Sequence, residues 1–213
     1  MPIPLYFVTN CKECVKFPGS ISIPPGCGIN AAGELRAARD FQSNGPLLLD
    51  DAYTVLPTEN CLKKLFNLCQ NGCILDFERS AGEFHRHIIR QMAAWHIAPL
   101  WLPERFAPYA PTAFVTISQT LPHNSWRQFC QSIQQRYPNR WCLELQPVNW
   151  EKKLAVPQKI RDVYLEEAAC MCKICAGTVR YYDTKQSLLK KLRIAEDCGC
   201  RGAIALWSEW QNL

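Results

Sequence analysis

Residues 72–79 read Gly72-Cys73-Ile74-Leu75-Asp76-Phe77-Glu78-Arg79, a short apolar run followed by two acids. Residues 73–77 are predicted to form a strand buried in an α/β sheet, because both of its faces are apolar. Side chains two apart on a strand share a face, so Asp76 and Glu78 are expected to project together, roughly 6–7 Å apart. Two carboxylates at the exit of a buried strand are costly to place there unless they have a function.

Around this run, strand and helix patterns alternate about eight times along the chain. Repeated βα units predict a parallel sheet, and eight of them predict an α/β fold of one compact domain over residues 1–213, a (β/α)8 TIM barrel near the lower size limit. The alternative is an open doubly wound sheet, which would need a nucleotide-type glycine loop; neither GxGxxG nor GxxxxGK[ST] occurs. The strands are predicted at 5–9, 21–23, 47–51, 73–77, 98–102, 112–118, 141–145 and 202–207.

Capping and periodicity place the helices between these strands. A helix is predicted over Ala31–Gln42, Thr58 is expected to cap the next helix, and Ser80 with Glu83 matches a capping box. Thr184 is expected to cap the last long helix. Residues 149–183 are predicted to be a longer, irregular connection with a helix near 158–169.

Composition excludes several classes of protein. The chain has 213 residues, is 48% hydrophobic and carries a net charge of +5, so a sizeable core is expected and disorder is not. Its Lys and Arg are scattered, with no basic stripe interleaved with aromatics, so no nucleic-acid partner is expected. The chain contains no run of about 18 apolar residues, so no membrane span is predicted. The first residues lack a signal-peptide pattern, so a cytoplasmic location is expected.

The barrel prediction locates a site. Active sites of this fold lie where the strands exit at their C-terminal ends. Acids lined by aromatics suit a sugar, since rings stack on pyranose faces and carboxylates bind hydroxyls or protonate glycosidic oxygens. Acids that follow strands also commonly cap the next helix, which is the structural alternative. Besides Asp76 and Glu78, the candidates for substrate binding are Asp50, Asp51, Glu104, Gln146, Tyr182, Trp207 and Glu209.

Two stretches resemble motifs of glycoside hydrolase family 18. Residues 71–78 resemble the family's DGxDxDxE signature on the fourth barrel strand. Residues 182–191 resemble its "yDd-x-x-S-x-x-x-K" helix, and residues 202–207 its last strand, "G-x-x-x-W". The spacing between the matches fits strands four and eight, and the resemblance covers roughly residues 47–207.

The resemblance implies hydrolysis of β-1,4 bonds next to N-acetylglucosamine, as in chitin, N-glycans or peptidoglycan. It implies a substrate-assisted retaining mechanism in which Glu78, with a raised pKa, protonates the leaving oxygen. Asp76 would orient the acetamido group that attacks the anomeric carbon, and the ring of Trp207 would lie beneath the sugar at the cleavage site. The implied partner is a glycan or cell-wall polysaccharide, and no cofactor is required. Some members act on the wall of bacterial spores, so a spore-associated location is a further expectation by analogy.

The chain departs from the family in three places. Asn71 and Ile74 stand where the signature has Asp, and the sixth strand ends in Ile117-Ser118 where the family often has Met-x-Tyr-Asp. The insertion domain that deepens the cleft of many chitinases is not expected here. A catalytically weak or inactive glycan-binding barrel is therefore an alternative to an active hydrolase.

Thirteen cysteines raise a separate possibility. Cys11-x-x-Cys14 and Cys172-x-x-Cys175 are two CxxC pairs, a pattern typical of zinc sites. Strand one neighbours strand eight in a barrel, so a structural zinc or a disulfide could join the two ends of the chain. A zinc-stabilised interaction protein is thus a third class, and reduced, buried cysteines without metal are the alternative.

The histidines suggest no site. His85 and His87 are two residues apart on a predicted helix, so they cannot face one ligand together, and both are expected at the surface.

Overall fold

The computed structural model describes residues 3–9, 20–24, 26–36, 45–119, 122–153, 161–175 and 177–213. The chain forms two compact units. The N-terminal unit is Leu5–Ile117, and the C-terminal unit is Ser118–Leu213 with Met1–Pro4. Eight strands belong to the main sheet, and the neighbouring strands within each unit pair in parallel.

The N-terminal unit carries most of the main sheet. Its helices are α1 (Glu59–Leu68) and α2 (Glu83–Ala94), with a 3-10 helix at Glu104–Tyr109. Its main-sheet strands are β1 (Leu5–Val8), β2 (Ser20–Ile23), β5 (Leu47–Asp50), β6 (Cys73–Asp76), β7 (Leu100–Pro103) and β8 (Phe114–Ser118), and a separate pair is formed by β3 (Gly28–Ile29) and β4 (Leu35–Arg36).

Burial explains why the strands form where the apolar runs predict them. Leu47, Leu48 and Leu49 of β5 are at most 5% exposed, and the first three residues of β6 are at most 2% exposed. The two strands pair so that Asp50 lies opposite Asp76. The acids at their ends are therefore brought side by side by strand register.

Helix α1 begins as predicted, because the Thr58 hydroxyl accepts a hydrogen bond from the Cys61 N–H at 3.2 Å. Helix α2 does not begin at Ser80. Its N-cap is Gly82, whose N–H donates to Nδ1 of His85 at 3.0 Å. A side chain from the first turn of the helix thus satisfies this backbone group, and the predicted capping box at Ser80 is wrong.

The predicted helix over Ala31–Gln42 is wrong in the part that the structure describes. The Asn30 side chain accepts hydrogen bonds from the N–H groups of Ala32 and Glu34, both at 2.9 Å, and so closes a tight turn. Gly33 within it has a φ of +74°. Leu35 then pairs with Ile29. Residues 37–42 lie outside the described residues.

The C-terminal unit holds two further strands of the main sheet, β9 (Trp141–Glu144) and β14 (Ala203–Leu206), which pair in parallel. Its helices are α3 (Trp126–Arg136), α4 (Lys185–Asp197) and α5 (Trp207–Gln211). Between β9 and α4 lies a four-stranded antiparallel sheet, here called the inserted sheet, formed by β10 (Asn149–Lys153), β11 (Arg161–Leu165), β12 (Cys170–Cys175) and β13 (Thr178–Tyr182).

The inserted sheet corrects three predictions. Residues 161–165 are a strand rather than part of a helix, and the connection is a folded insertion rather than an irregular loop. The chain is also predicted to lack an insertion domain, whereas the structure has a folded insertion of four strands between β9 and α4. Its register explains the pattern, because directly paired residues share a face. One face carries mainly apolar and aromatic side chains, and the other carries mainly polar ones. The first includes Trp150, Val163, Cys172 and Tyr181, and the second includes Asn149, Asp162, Arg180 and Tyr182.

Within the described residues, no helix is both long enough and apolar enough to span a bilayer.

Candidate active site

Asp76 and Glu78 project from the end of β6 with one buried ring between them. Both acids are exposed, whereas Phe77 is only 2% exposed. The Phe77 ring packs on those of Phe84 and Phe106, with centroids 5.8 and 5.6 Å away. Because side chains alternate along an extended chain, anchoring Phe77 on one side turns both carboxylates to the other. The predicted common orientation of the two acids agrees with this arrangement.

Asp51 holds the backbone of Glu78. Its carboxylate accepts hydrogen bonds from the Glu78 N–H at 3.0 Å and from the Arg79 N–H at 2.8 Å. Nε2 of His85 lies 3.0 Å from the same carboxylate. The His85 Nδ1 accepts from Gly82, so the imidazole proton is on Nε2 and is donated to Asp51. The chain beyond β6 is thereby fixed where Glu78 begins.

The Asp51 carboxylate is buried and ionised. Burial by itself raises the pKa of Asp51, but the hydrogen bonds from Glu78, His85 and Arg79 outweigh it, so the pKa is lowered overall. The side chains of Asp51 and His85 are 5% and 1% exposed. Asp51, predicted to bind substrate, is buried and holds the backbone of Glu78.

His85 is a buried residue beside the acid pair's strand that the sequence does not predict there. It was predicted at the surface, and the structure buries it between Asp51 and the aromatic rings of Phe77 and Phe106. The signal was present in the helical pattern, since the buried face of α2 is Phe84, His85, Ile88, Ile89 and Met92. His85 lies within that apolar stripe.

Asp50 lies at the end of β5 and forms an ion pair with Arg36 at 2.5 Å. Its other oxygen accepts from the Ala52 N–H at 3.1 Å. Gly28 makes room for this carboxylate, because a Cβ there would lie 2.4 Å from Oδ1 of Asp50. Asp50 is thus held on the strand next to that of Asp76. Arg36 and Gly28, which hold it there, have no predicted role in the site.

Glu104 opens the 3-10 helix after β7 and is half-buried. Its neighbour Arg105 donates a hydrogen bond to the Phe77 carbonyl and lies 5.3 Å from the centroid of the Phe106 ring. Arg105 therefore contacts the backbone between Asp76 and Glu78.

A second polar cluster lies in the C-terminal unit, around Glu144 at the end of β9. The Ser118 hydroxyl donates to Oε2 of Glu144, and the Gln146 amide donates to Oε1 at 2.5 Å. Burial, and then the charge of Glu144, raise the pKa of Glu209. Gln146 and Glu209 were predicted as site residues. Glu144, which contacts Gln146 and raises the pKa of Glu209, is not among the predicted site residues, because the predicted strand runs one residue past it to Leu145.

Two predicted aromatic site residues lie in different surroundings. Trp207 begins α5 directly after β14 and is half-buried. The Tyr182 hydroxyl donates to Asp162 at 2.7 Å across the polar face of the inserted sheet. That hydrogen bond, followed by burial, raises the pKa of Tyr182.

The stretch at 182–191 that resembles a family motif is a buried polar network. Nζ of Lys191 lies 2.7 Å from Oδ2 of Asp183, and the two side chains are 1% and 0% exposed. The Ser187 hydroxyl donates to Oδ1 at 2.7 Å, and the Val148 N–H donates to Oδ2 at 2.8 Å. The three polar residues of the motif therefore fasten the start of α4 to the chain that enters the inserted sheet.

The cysteine pairs of the zinc prediction lie partly outside the described residues. Cys11 and Cys14 are not described. Cys172 and Cys175 lie three apart on β12, so their side chains leave opposite faces of the strand. This placement counts against the pair as joint ligands of one metal. Among the described residues, no group of three or more His, Cys, Asp or Glu is arranged to hold a metal ion.

The eleven described cysteines are all free thiols, and nine of them are buried. Burial raises the pKa of Cys27 and of Cys200 to about 12. These thiols are therefore protonated near neutral pH and are poor ligands and nucleophiles. The expectation of reduced, buried cysteines agrees with this part of the chain.

In sequence, the chain matches no protein family model and no curated protein. Its fold, however, is shared with solved structures. A chitinase from Chromobacterium violaceum superposes with a TM-score of 0.64 over 96% of this chain and 93% of the other, at 10% identity. A class V chitinase from Nicotiana tobaccum, solved as a mutant in complex with NAG4, gives 0.59 over the same shares at 9% identity.

The spore cortex-lytic enzyme SleL of Bacillus cereus gives a TM-score of 0.60 over 99% of this chain and 73% of the other, at 11% identity. A GH18 chitinase from Cycas revoluta, solved with (GlcNAc)3, gives 0.57 over 87% and 86% at 12% identity. The chain therefore has the (β/α)8 TIM-barrel fold of the family 18 chitinases. The predicted fold class is confirmed, and so is the resemblance at the level of the fold.

Proposed function

We propose that this chain is a glycoside hydrolase acting on glycans that contain N-acetylglucosamine, of the chitin or peptidoglycan type. The observation that carries the proposal is the pair of exposed carboxylates at the end of β6, Asp76 and Glu78. The chain between them is anchored by Phe77, and the backbone of Glu78 is held by Asp51. The shared fold of chitinases and of SleL supports a glycan substrate.

The proposed reaction is substrate-assisted and retains the anomeric configuration. Glu78 donates its proton to the glycosidic oxygen as the C1–O bond breaks. The carbonyl oxygen of the sugar's acetamido group attacks C1 from the other face and forms an oxazolinium ring. Asp76 orients the amide and stabilises the positive charge that develops on it. Water then opens the ring at C1 and gives a proton to the Glu78 carboxylate, which restores the acid.

The rigid anchoring of Glu78 is the contribution of the surrounding residues. A general acid must lie within hydrogen-bonding distance of the oxygen that it protonates. The two backbone hydrogen bonds to Asp51 fix the origin of the Glu78 side chain, and His85 keeps Asp51 in place. Asp51 and His85 are thus positioning residues rather than catalytic ones.

The assay is release of a chromophore from an N-acetylglucosamine oligomer. Glu78→Gln should reduce kcat/KM by about 10²–10⁴-fold, since this is the usual contribution of a general acid. Asp76→Asn should reduce it by about 10²–10³-fold, as for loss of one group that stabilises a developing charge. Matched controls are Glu196→Gln and Asp197→Asn, in the last turn of α4, which should leave activity unchanged. Equal activity in wild type and Glu78→Gln would contradict the role of Glu78.

A glycan-binding barrel without activity is the second candidate, and two observations favour it. Ile74, where the family signature has an inner acid, is 2% exposed and packed in the core. Ser118 ends β8, where the family often has a tyrosine, and it bonds to Glu144. Binding of chitin oligomers by the wild type, with no hydrolysis by any variant, would establish this candidate over the hydrolase.

A further inference from the structure

A cavity of about 540 Å³ lies within the C-terminal unit, and none of its lining residues belongs to the acid pair. Its volume falls in the range of about 300–1,000 Å³ that is usual for small-ligand sites. Three segments line it: the apolar face of the inserted sheet, the turn between β11 and β12, and the loop before α3. None of these residues has a part in the proposed hydrolysis.

Two aromatic rings form one wall of the cavity. Trp150 and Tyr181 are directly paired across β10 and β13 and therefore share a face. Their ring centroids are 5.6 Å apart, and the ring planes meet at 45°. Both residues are half-buried, so part of each ring remains accessible. Two accessible rings held by neighbouring strands form a stacking surface that needs no rearrangement.

Polar groups complete the lining. Glu166 is neutralised by an ion pair with Lys190. Glu167 is exposed and adds a second carboxylate to the lining. Asn124 adds an amide. His123 stacks on Phe129 with centroids 3.9 Å apart, and burial followed by the charge of Lys191 lowers its pKa, so its imidazole is uncharged near neutral pH.

We propose that this cavity binds one pyranose ring of a glycan, stacked on Trp150 and Tyr181 and hydrogen-bonded through its hydroxyls. The lining offers both donors, from Asn124 and His123, and an acceptor, from Glu167. A hydroxylated sugar satisfies both kinds of group, whereas a simple cation satisfies only acceptors. A phosphorylated ligand is disfavoured, because the negative charge of Glu167 in the lining would repel it.

The site goes beyond the proposed hydrolysis, because binding here involves neither Asp76 nor Glu78. It gives the chain a glycan contact made by residues other than those that break the bond.

The test follows the indole N–H signal of Trp150 by NMR in the Glu78→Gln background, which removes hydrolysis. The signal is assigned by its loss in Trp150→Phe. Titration with N-acetylglucosamine should shift it in a saturable way. Tyr181→Ala should weaken binding by about tenfold, or about 1.4 kcal/mol, as expected for loss of one stacking ring. Tyr137→Ala, at the end of α3, is the matched control and should leave the affinity unchanged.

Glu167→Gln is a milder second variant, in case removal of the Tyr181 ring unfolds the inserted sheet. It keeps the shape of the side chain and should weaken binding several-fold. Absence of any shift of the Trp150 signal at high sugar concentration would overturn the proposal. A shift caused by spermidine but by no sugar would also overturn it. The NMR signal reports binding directly and does not depend on hydrolysis. If the wild type shows no hydrolysis but this site binds the sugar, the hydrolase proposal is contradicted and the binding proposal stands.

Discussion

Asp51 is the residue on which the geometry of the acid pair depends. It lies one position past β5 and reaches across to the chain beyond β6, where it accepts the N–H groups of Glu78 and Arg79. A buried carboxylate that lost these partners would be left without solvation, which is costly. The same residue therefore contributes both to stability and to the placement of Glu78.

Asp51→Asn should change how stability depends on pH. The pKa of Asp51 is lower in the folded chain than its ordinary value of about 3.9. A depressed carboxyl pKa contributes stability that is present above the unfolded pKa and is lost as the pH falls through the folded pKa. The wild type should therefore exceed Asp51→Asn in free energy of unfolding at pH 7, and the difference should narrow below about pH 4.

Urea unfolding at pH 7, 4 and 3 measures this difference. The control is Asp197→Asn, because Asp197 is 63% exposed and its ion pair with Arg127 is long, at 3.5 Å. Its effect on stability should be small at every pH. A gap between wild type and Asp51→Asn that stays constant from pH 7 to pH 3 would contradict the electrostatic role of Asp51.

Glu144→Gln should lower the pKa of Glu209. Burial is the larger cause of the raised pKa of Glu209, and the charge of Glu144 is the second. Removing that charge while keeping the side chain's shape leaves only burial to raise the pKa. The measurement is an NMR titration of the Glu209 side-chain carboxyl carbon in both proteins. An unchanged pKa in the variant would show that the two carboxylates do not interact.

At the scale of the element, α4 is fastened by a buried ion pair. Lys191 and Asp183 are almost fully buried, and the Ser187 hydroxyl and the Val148 N–H also donate to the Asp183 carboxylate. The Thr184 hydroxyl also caps the helix by accepting from the Ser187 N–H at 3.2 Å, as predicted. The motif at 182–191 thus has a structural explanation that does not depend on catalysis.

Lys191→Ala should destabilise the chain by about 3–5 kcal/mol, because it leaves the Asp183 carboxylate buried without its counter-charge. Arg127→Ala removes the α3 partner of an exposed ion pair with α4 and should cost about 0–1 kcal/mol. Chemical unfolding of both variants measures the contrast. Similar losses in the two variants would contradict the assignment of Lys191 to a buried network.

The inserted sheet is the element that the sequence predicts least well, because its residues are predicted to form an irregular connection. In β12, the alternation of Cys170 and Cys172 with Met171 and Lys173 follows the period of a strand. Cysteine is apolar enough to fill a core position, but the same CxxC spacing is also typical of metal sites, so it does not identify a strand face. The sequence therefore does not predict the apolar face to which the Trp150–Tyr181 pair belongs.

For the molecule as a whole, cysteine reactivity is a direct test of the packing. Most described thiols are buried in the folded chain, and only Cys175 and Cys198 are half-exposed. Thiolates are the reactive form, and burial suppresses both ionisation and access. Among the described cysteines, these two should be alkylated first by iodoacetamide, as read by peptide mass mapping of the native protein.

The control is the same reaction in denaturant, where all thirteen cysteines should react. Early modification of Cys27, Cys73 or Cys142 in the native protein would contradict the packing described here. Zinc measured in the freshly purified protein tests the metal hypothesis in the same preparation. Stoichiometric zinc would support the site predicted at Cys11, Cys14, Cys172 and Cys175.

The fold was predictable because the parallel strands coincide with apolar runs in the sequence. Leu47-Leu48-Leu49 and Cys73-Ile74-Leu75 are apolar on both faces, and each is followed by acids. An uninterrupted apolar run suits a strand covered on both sides, so eight such strands separated mainly by helices specify a barrel. The barrel fold of the solved chitinases confirms this prediction at identities near 10%.

The sequence by itself determined the barrel and the pairing of Asp76 with Glu78, because the period of two along a strand depends only on local backbone geometry. Only the tertiary structure decided that Asp51 and His85 support Glu78, since they lie 27 and 7 positions away from it in sequence. Only the tertiary structure likewise decided that Lys191 and Asp183 form a buried ion pair and that the inserted sheet forms. Contacts of this kind depend on strand register and helix rotation, which local patterns do not specify.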